Sequence, residues 1–466
     1  MPFIKTLKQS KLIKSSLWYT LGNFFIKGIS FITVPIFVRI TTQSEYGLIN
    51  NFTSFVSIFS IILGLSLNAS INNANFDYSE RIKQYLSSVL SLATLSFAIF
   101  SFLGNIYFLF YEDFFDMNQL IFNLMLIQSF SLFLVSYIQA YFTINFQHFK
   151  FLFVSLVSTV LNIGISVLLM ETVLFNDKYF GRALGGALGL SWVAFLICFY
   201  IFFKGKVFYN IEFWRYSLKI SLPLIPHTLA NILLAQFDRI MINNSLGSES
   251  AGIYSYISNI AIVLNVIWLS SNNAWVPWFY REMENRNNTK IKLTSNLYIL
   301  IFSIVTLTLM VFCVDVSRLL ADESYFSGIP LIVPIILGYF FQFMYSFPVN
   351  VEFYMKKTSY IAIGTMTSAI VNILLNLLFI PKFGIMAAGY TTAFTYFLLF
   401  IFHYNLSKKI VKRQYFDTSF IVFITVVVLI FSIIIHYLIH FFLARYFILI
   451  IFIILIGLVY YKNYND

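Results

Sequence analysis

From Ser16 to Val38 the chain reads SLWYTLGNFFIKGISFITVPIFV. A helix needs about 20 mostly apolar residues to cross the hydrocarbon core of a bilayer, and this run is long enough. Lys5, Lys8, Lys11 and Lys14 precede it, as in a signal peptide. The run is longer than a signal peptide's apolar core, however, holds Lys27 inside it and has no small-residue cleavage site after it. It is read as a first transmembrane helix, and its single charge is the first candidate functional residue.

The rest of the chain agrees with a bilayer as the main solvent. Of 466 residues, 59% are hydrophobic and only 11% charged, with a mean hydropathy of +0.83. A soluble protein carries about 25% charged residues. A soluble enzyme, a secreted disulfide scaffold and a disordered chain are thereby excluded. Cys198 and Cys313 both sit in apolar runs and read as small hydrophobes. The net charge of +11 suggests nucleic acid in a soluble protein, but here the basic residues lie in short connections, so topology accounts for them. No phosphate loop, HExxH or GxSxG motif occurs, and no connection is long enough to hold a soluble catalytic domain.

Fourteen spans are expected, near 16–38, 48–69, 85–110, 119–144, 150–173, 183–203, 218–242, 251–275, 293–315, 329–351, 358–380, 384–406, 418–439 and 446–461. The segments are too long for barrel strands. Counted over alternate connections, 22 Lys and Arg fall on the side of the termini and 7 on the other, where Glu112, Asp113 and Asp116 form an acidic turn. This bias places both termini in the cytoplasm.

A repeat is visible as well. Gly47 in SEYGL matches Gly252 in ESAGIY, Phe180-Gly181 with Gly185-Gly186 matches Phe383-Gly384 with Ala388-Gly389, and Asn145 matches Asn350, all at offsets of 203 to 205. The expected architecture is an all-α polytopic membrane protein with about 14 transmembrane helices. Two pseudo-symmetric six-helix lobes, 1–210 and 211–410, are followed by a C-terminal helix pair, 411–466.

A lysine near the middle of a span costs about 2.5–3.5 kcal/mol, so Lys27 is expected to face a wet cavity or an anionic partner, the alternative being a snorkelling or internally paired lysine. Ser16, Thr20, Asn23, Lys27 and Ser30 fall on one helical face. The seventh span carries a similar stripe of His227, Asn231 and Asp238, with Pro223 and Pro226 before it and Arg239 after it. His227 is either a proton-exchanging group or a neutral hydrogen-bonding histidine. Asp238 and Arg239 are cavity groups or an interfacial ion pair. The neutral stripes, Ser155-Thr159-Asn162-Ser166, Ser258-Asn265-Asn272 and Thr365-Ser368-Asn372-Asn376, read as helix-interface glue. Together these residues outline a polar, cationic cleft in which Lys27, Arg39 and Arg239 suit a phosphate or pyrophosphate head group.

Several of these residues carry a resemblance. They are Gly22-Asn23 with Lys27, Pro35 through Arg39, Glu45-Tyr46-Gly47, Ser221 through Pro226, Gln236 through Ile242, Gly252 through Ser255 and Ile380 through Gly384. From Leu17 to Ser407 the chain resembles the polysaccharide-exporting flippases of the multidrug/oligosaccharidyl-lipid/polysaccharide superfamily, with a MATE-like fold. The resemblance implies a non-enzymatic carrier of an undecaprenyl-diphosphate-linked oligosaccharide, of O-antigen or capsule type, working by alternating access in a bacterial inner membrane. It implies Lys27, Arg39 and Arg239 on the diphosphate side, and no cofactor beyond coupling to protons, sodium or the membrane potential. Its partners are then membrane lipids, the lipid-linked glycan, and a polymerase and chain-length regulator of the same pathway, with no nucleic acid. Fewer buried basic residues are present than the family leads one to expect. Two alternatives are an ion-coupled small-molecule antiporter of the same fold and a membrane-embedded repeat-unit polymerase.

Overall fold

The computed structural model describes residues 31, 33–411 and 415–465. Helices begin where a side chain can accept from the free N–H groups of a first turn. Helix α1 (Gln43–Gly64) starts on a capping box: Glu45 N donates to Thr42 Oγ1 at 3.2 Å and Thr42 N donates to Glu45 Oε2 at 2.8 Å. It therefore begins about a turn ahead of the apolar run that announces it. It ends at Gly64, after which Leu65 and Ser66 take left-handed backbone (φ 47° and 50°). A methyl group on Gly64 would lie 2.0 Å from the Phe133 ring, so only glycine permits this approach. Beyond the break come α2 (Ile71–Asp77), α3 (Ile82–Tyr107), α4 (Gln119–Ile144), α5 (His148–Glu171) and α6 (Lys178–Gly205). Asn118 caps α4 and Asp177 caps α6.

Next are α7 (Ile211–Ser221) and α8 (Ile225–Leu246), separated by a short turn of tighter helix at Leu222–Leu224 that contains Pro223. They are followed by α9 (Ser248–Ala261), α10 (Val263–Glu284), α11 (Asn288–Leu320), α12 (Ile332–Tyr354), α13 (Thr358–Phe383), α14 (Ile385–Val411), α15 (Thr418–Leu438) and α16 (Phe442–Asn465). Twelve helical segments among the described residues are long and apolar enough to cross a membrane, and Phe442–Leu458 adds a shorter apolar one. These account for thirteen of the fourteen expected spans. The remaining one, 16–38, is described only at 31 and 33–38. No strand occurs among the described residues; a single antiparallel bridge, Phe114 to Met117, pinches the acidic turn.

Contacts divide the chain into two units, Ile40–Ile240 and Val34–Arg39 with Met241–Asp466. In the first unit α6 packs on α4 and α5, and α1 packs on α4. Its core centres on Tyr85, Leu90, Tyr137 and Phe213. Residues 211–240 belong to it by contact: Phe213 is buried, Trp214 Nε1 donates to Ser88 O at 2.8 Å, and Ser217 Oγ lies 2.8 Å from Ser70 Oγ. The apolar face of α8, including Leu233 and Phe237, packs on a second cluster around Phe55 and Met125.

The second unit repeats the plan. Helix α14 packs on α12 and α13, and α10 packs on α12. The repeat extends to single residues. Gly186 of α6 leaves room for Gln128 of α4, and Gly389 of α14 leaves room for Pro334 of α12. Asn145 donates to Asn75 at 3.1 Å, joining the end of α4 to α2, and Asn350 donates to Asn272 at 3.5 Å, joining α12 to α10. Helices α15 and α16 pack on α11 of this unit.

Candidate functional site

Lys27 and Asn23 lie outside the described residues. Of the others expected to act, His227 and Asn231 are brought together on α8, with Asn231 Nδ2 3.2 Å from His227 Nε2. They are one helical turn apart, the spacing at which side chains on a helix meet. Asn231 is exposed and His227 half-buried, and His227 Nδ1 has no hydrogen-bond partner among the described residues. Asp238 follows about 16 Å further along the axis, by the helical rise. Both Asp238 and Arg239 are buried, and Arg239 Nη1 donates to Gln236 Oε1 on its own helix. The stripe thus passes from an open polar end to a closed charged one. Arg39 is exposed and falls in the second unit, whereas Arg239 falls in the first.

The neutral stripes work as interface glue. Gln139 Nε2 donates to Ser155 Oγ at 2.7 Å, joining α4 to α5. Asn265 Nδ2 donates to Gln342 Oε1 at 2.7 Å, and Asn372 Nδ2 to Thr392 Oγ1 at 3.0 Å. In an apolar solvent such pairs hold helices in register, because the unpaired groups have no water to turn to.

Three polar clusters between helices escaped the sequence reading. Arg182 of α6 donates to Ser166 Oγ of α5 at 2.7 Å, beside Gln128. Arg445 of α16, fully buried, donates to Asp315 Oδ1 at 2.8 Å and to Val311 O at 3.1 Å. Glu352 of α12 and His403 of α14, both fully buried, meet with His403 Nδ1 at 2.8 Å and 3.0 Å from the two carboxylate oxygens. A charge within or beside an apolar helix was the available signal for each. Partners 51 and 130 positions apart have no spacing pattern that could pair them in advance.

Comparison with known proteins places this arrangement. Residues 12–283, over half of the chain, match the model of the family described as polysaccharide biosynthesis protein. The chain belongs to that family. A relative of Haemophilus influenzae, described as an uncharacterized membrane protein, is 25% identical over 373 residues, covering 77% of this chain and 88% of its own. Among solved structures, an inward-facing MATE multidrug resistance transporter of the MOP superfamily shares the fold with a TM-score of 0.63 at 13% identity, over 82% of this chain and 98% of its own. The lipid II flippase MurJ, in an inward closed conformation, does so with a TM-score of 0.58 at 15% identity, over 98% and 99%. This member of the polysaccharide biosynthesis family is therefore a multi-pass membrane protein on a MATE-like plan.

Proposed function

We propose that the chain is a flippase that carries a polyisoprenyl-diphosphate-linked oligosaccharide, of O-antigen or capsule type, across a bacterial inner membrane by alternating access, with both termini in the cytoplasm. The observation that carries this reading is the family match over residues 12–283, which joins polysaccharide synthesis to a chain built of membrane-crossing helices. Lys27, Arg39 and Arg239 are assigned to the diphosphate. A guanidinium or ammonium offers charge-assisted hydrogen bonds to phosphate oxygens, and these strengthen where water is excluded. Asn23, His227, Asn231 and Asp238 are assigned to the polar wall of the path, where amide and imidazole groups suit sugar hydroxyls.

In a deletion strain complemented with Lys27→Ala or Arg239→Ala, surface polysaccharide is expected to be lost while the variant stays in the membrane at wild-type amounts. Full surface polysaccharide in both variants would remove these cations from the path. Single unpolymerised units on the surface of the deletion strain would instead identify a polymerase.

The ion-coupled antiporter is favoured by one specific observation, the buried carboxylate of Glu352. Loss of drug resistance with normal surface glycan in the deletion strain would establish that reading.

A further inference from the structure

The pair formed by Glu352 and His403 has a chemistry that packing alone does not require. Glu352 is the third residue from the end of α12, and His403 lies two turns from the end of α14. Both are closed off from solvent, with side-chain exposures of 0%. For His403 Nδ1 to approach both carboxylate oxygens at 2.8 and 3.0 Å, a proton must lie between the two groups. No Lys or Arg pairs with Glu352 among the described residues. Titratable groups at this end of the bundle include Tyr345 of α12, whose ring lies 5.6 Å from that of His403, the exposed Lys356 and Lys357 just past α12, and Tyr404 and Lys408 of α14, with the ammonium 4.4 Å from the tyrosine ring. Asp417 before α15 is already paired with Lys292 at 3.0 Å. Helix α13 presents Gly364.

Charge then decides which state the packed bundle holds. With a carboxylate and a neutral imidazole the pair carries a full negative charge, closed off from solvent and with no Lys or Arg paired to it among the described residues, a state that burial disfavours. One further proton makes the pair neutral overall, as an ion pair or as a carboxylic acid beside an imidazole. The second ring nitrogen supplies a route. His403 Nε2 is buried without a partner and lies 2.6 Å from where a Cβ on Gly364 would stand. The two ring nitrogens are separate sites, so a proton taken up on one side of the imidazole can leave from the other. Here Nδ1 is anchored on the carboxylate and Nε2 points at the seam between α13 and α14, where water arrives only if the seam opens.

We propose that Glu352 and His403 form a proton-binding site that holds a single exchangeable proton in the packed state and releases it through His403 Nε2 when α13 separates from α14. The site makes the second unit the place where a proton gradient acts on the carrier, an inference that rests on the transport reading above. Proton binding favours the packed seam and proton loss favours the open one, so a gradient biases the two states through their differential proton affinity.

The test has two independent arms. In the first, the full-length protein in lipid nanodiscs is subjected to a pH jump and its proton release is counted with an indicator dye. The wild type is expected to release one proton more than Glu352→Gln or His403→Gln, and Glu352→Asp, which keeps a carboxyl, is expected to restore it. Equal release from the wild type and a monodisperse Glu352→Gln or His403→Gln protein overturns the site. In the second, proteoliposomes are loaded with a fluorescent undecaprenyl-diphosphate oligosaccharide, and its flipping is followed with and without an imposed pH gradient. The gradient is expected to stimulate the wild type and to leave Glu352→Gln and His403→Gln unstimulated. An unaltered response in those variants overturns the site and leaves the transport reading standing. No movement of the glycan by the wild type, with the proton difference intact, overturns the transport reading and leaves the site standing.

Discussion

Asp315 and Arg445 show what a single residue decides in this molecule. Arg445 is fully buried, and its guanidinium is held by the Asp315 carboxylate and the Val311 carbonyl, while Tyr446 OH donates to Asp315 Oδ2 at 2.9 Å. Removing one partner of a buried pair leaves the other charge uncompensated and costs about 3–5 kcal/mol. Asp315→Ala is therefore expected to lower the thermal midpoint of the purified protein well below that of the wild type, with Asp315→Asn intermediate. An unchanged midpoint would show that the pair does not fasten α16. Asp417 acts differently, as the cap of α15, accepting from Ser419 N at 3.1 Å and Phe420 N at 3.3 Å. Burial pushes its carboxyl up, but the Lys292 ammonium at 3.0 Å and the two N–H groups outweigh this and hold it below the usual carboxylate range. Loss of the cap in Asp417→Ala is expected to cost about 1 kcal/mol at neutral pH. Because the folded-state value is depressed, this stabilisation is complete above the ordinary aspartate value of about 3.9 and is lost as pH falls through the lower folded value. The difference between wild type and variant in thermal midpoint should therefore close in strong acid. A gap that persists there would assign the cap to something other than the ionised carboxylate.

Among the elements, the contact of α5 with α6 depends on glycine. A methyl group on Gly185 would stand 2.4 Å from Ser166 Cα, and one on Gly189 2.6 Å from Leu161 O, both backbone atoms that cannot step aside. Gly164, on α5, meets nothing within 4 Å. Gly185→Ala is thus expected to cost about 1–3 kcal/mol through forced helix separation. Gly164→Ala should be neutral or stabilising by up to about 1 kcal/mol, since alanine is the better helix former. Melting curves of the two variants check this, and equal midpoints would remove the close approach as a determinant. The small residues Gly181, Gly185 and Gly189, spaced four apart along α6, signal such an approach in the sequence. Which glycine faces α5 and which faces α4 does not follow from composition, because both interfaces are apolar. The start of α1 was legible only in part: hydropathy marks the apolar run, whereas the helix begins at the Thr42 cap, whose polar residues hydropathy discounts.

For the molecule as a whole, the proposed orientation rests on the excess of Lys and Arg in alternate connections. An alkaline phosphatase fusion in the 172–177 connection is expected to be active, and one in the 285–287 connection inactive; the opposite pair of activities would invert the topology. The same few charges explain how far the sequence alone could go. The existence and rough position of the thirteen spans seen among the described residues, the all-α class and the internal repeat follow from hydropathy and from glycine and asparagine spacing, because a bilayer leaves the backbone no alternative to helices over such lengths. The interface role of the neutral stripes was legible for the same reason. Among the candidate site residues, His227 and Asn231 could be paired in advance, since helical geometry alone sets their distance. Tertiary structure alone decided that residues 211–240 pack with the first unit, that Arg445 closes on Asp315, and that Glu352 meets His403 out of reach of water. Those contacts join helices whose separation along the chain carries no periodic signal, and the cost of burying a charge is settled only by what surrounds it.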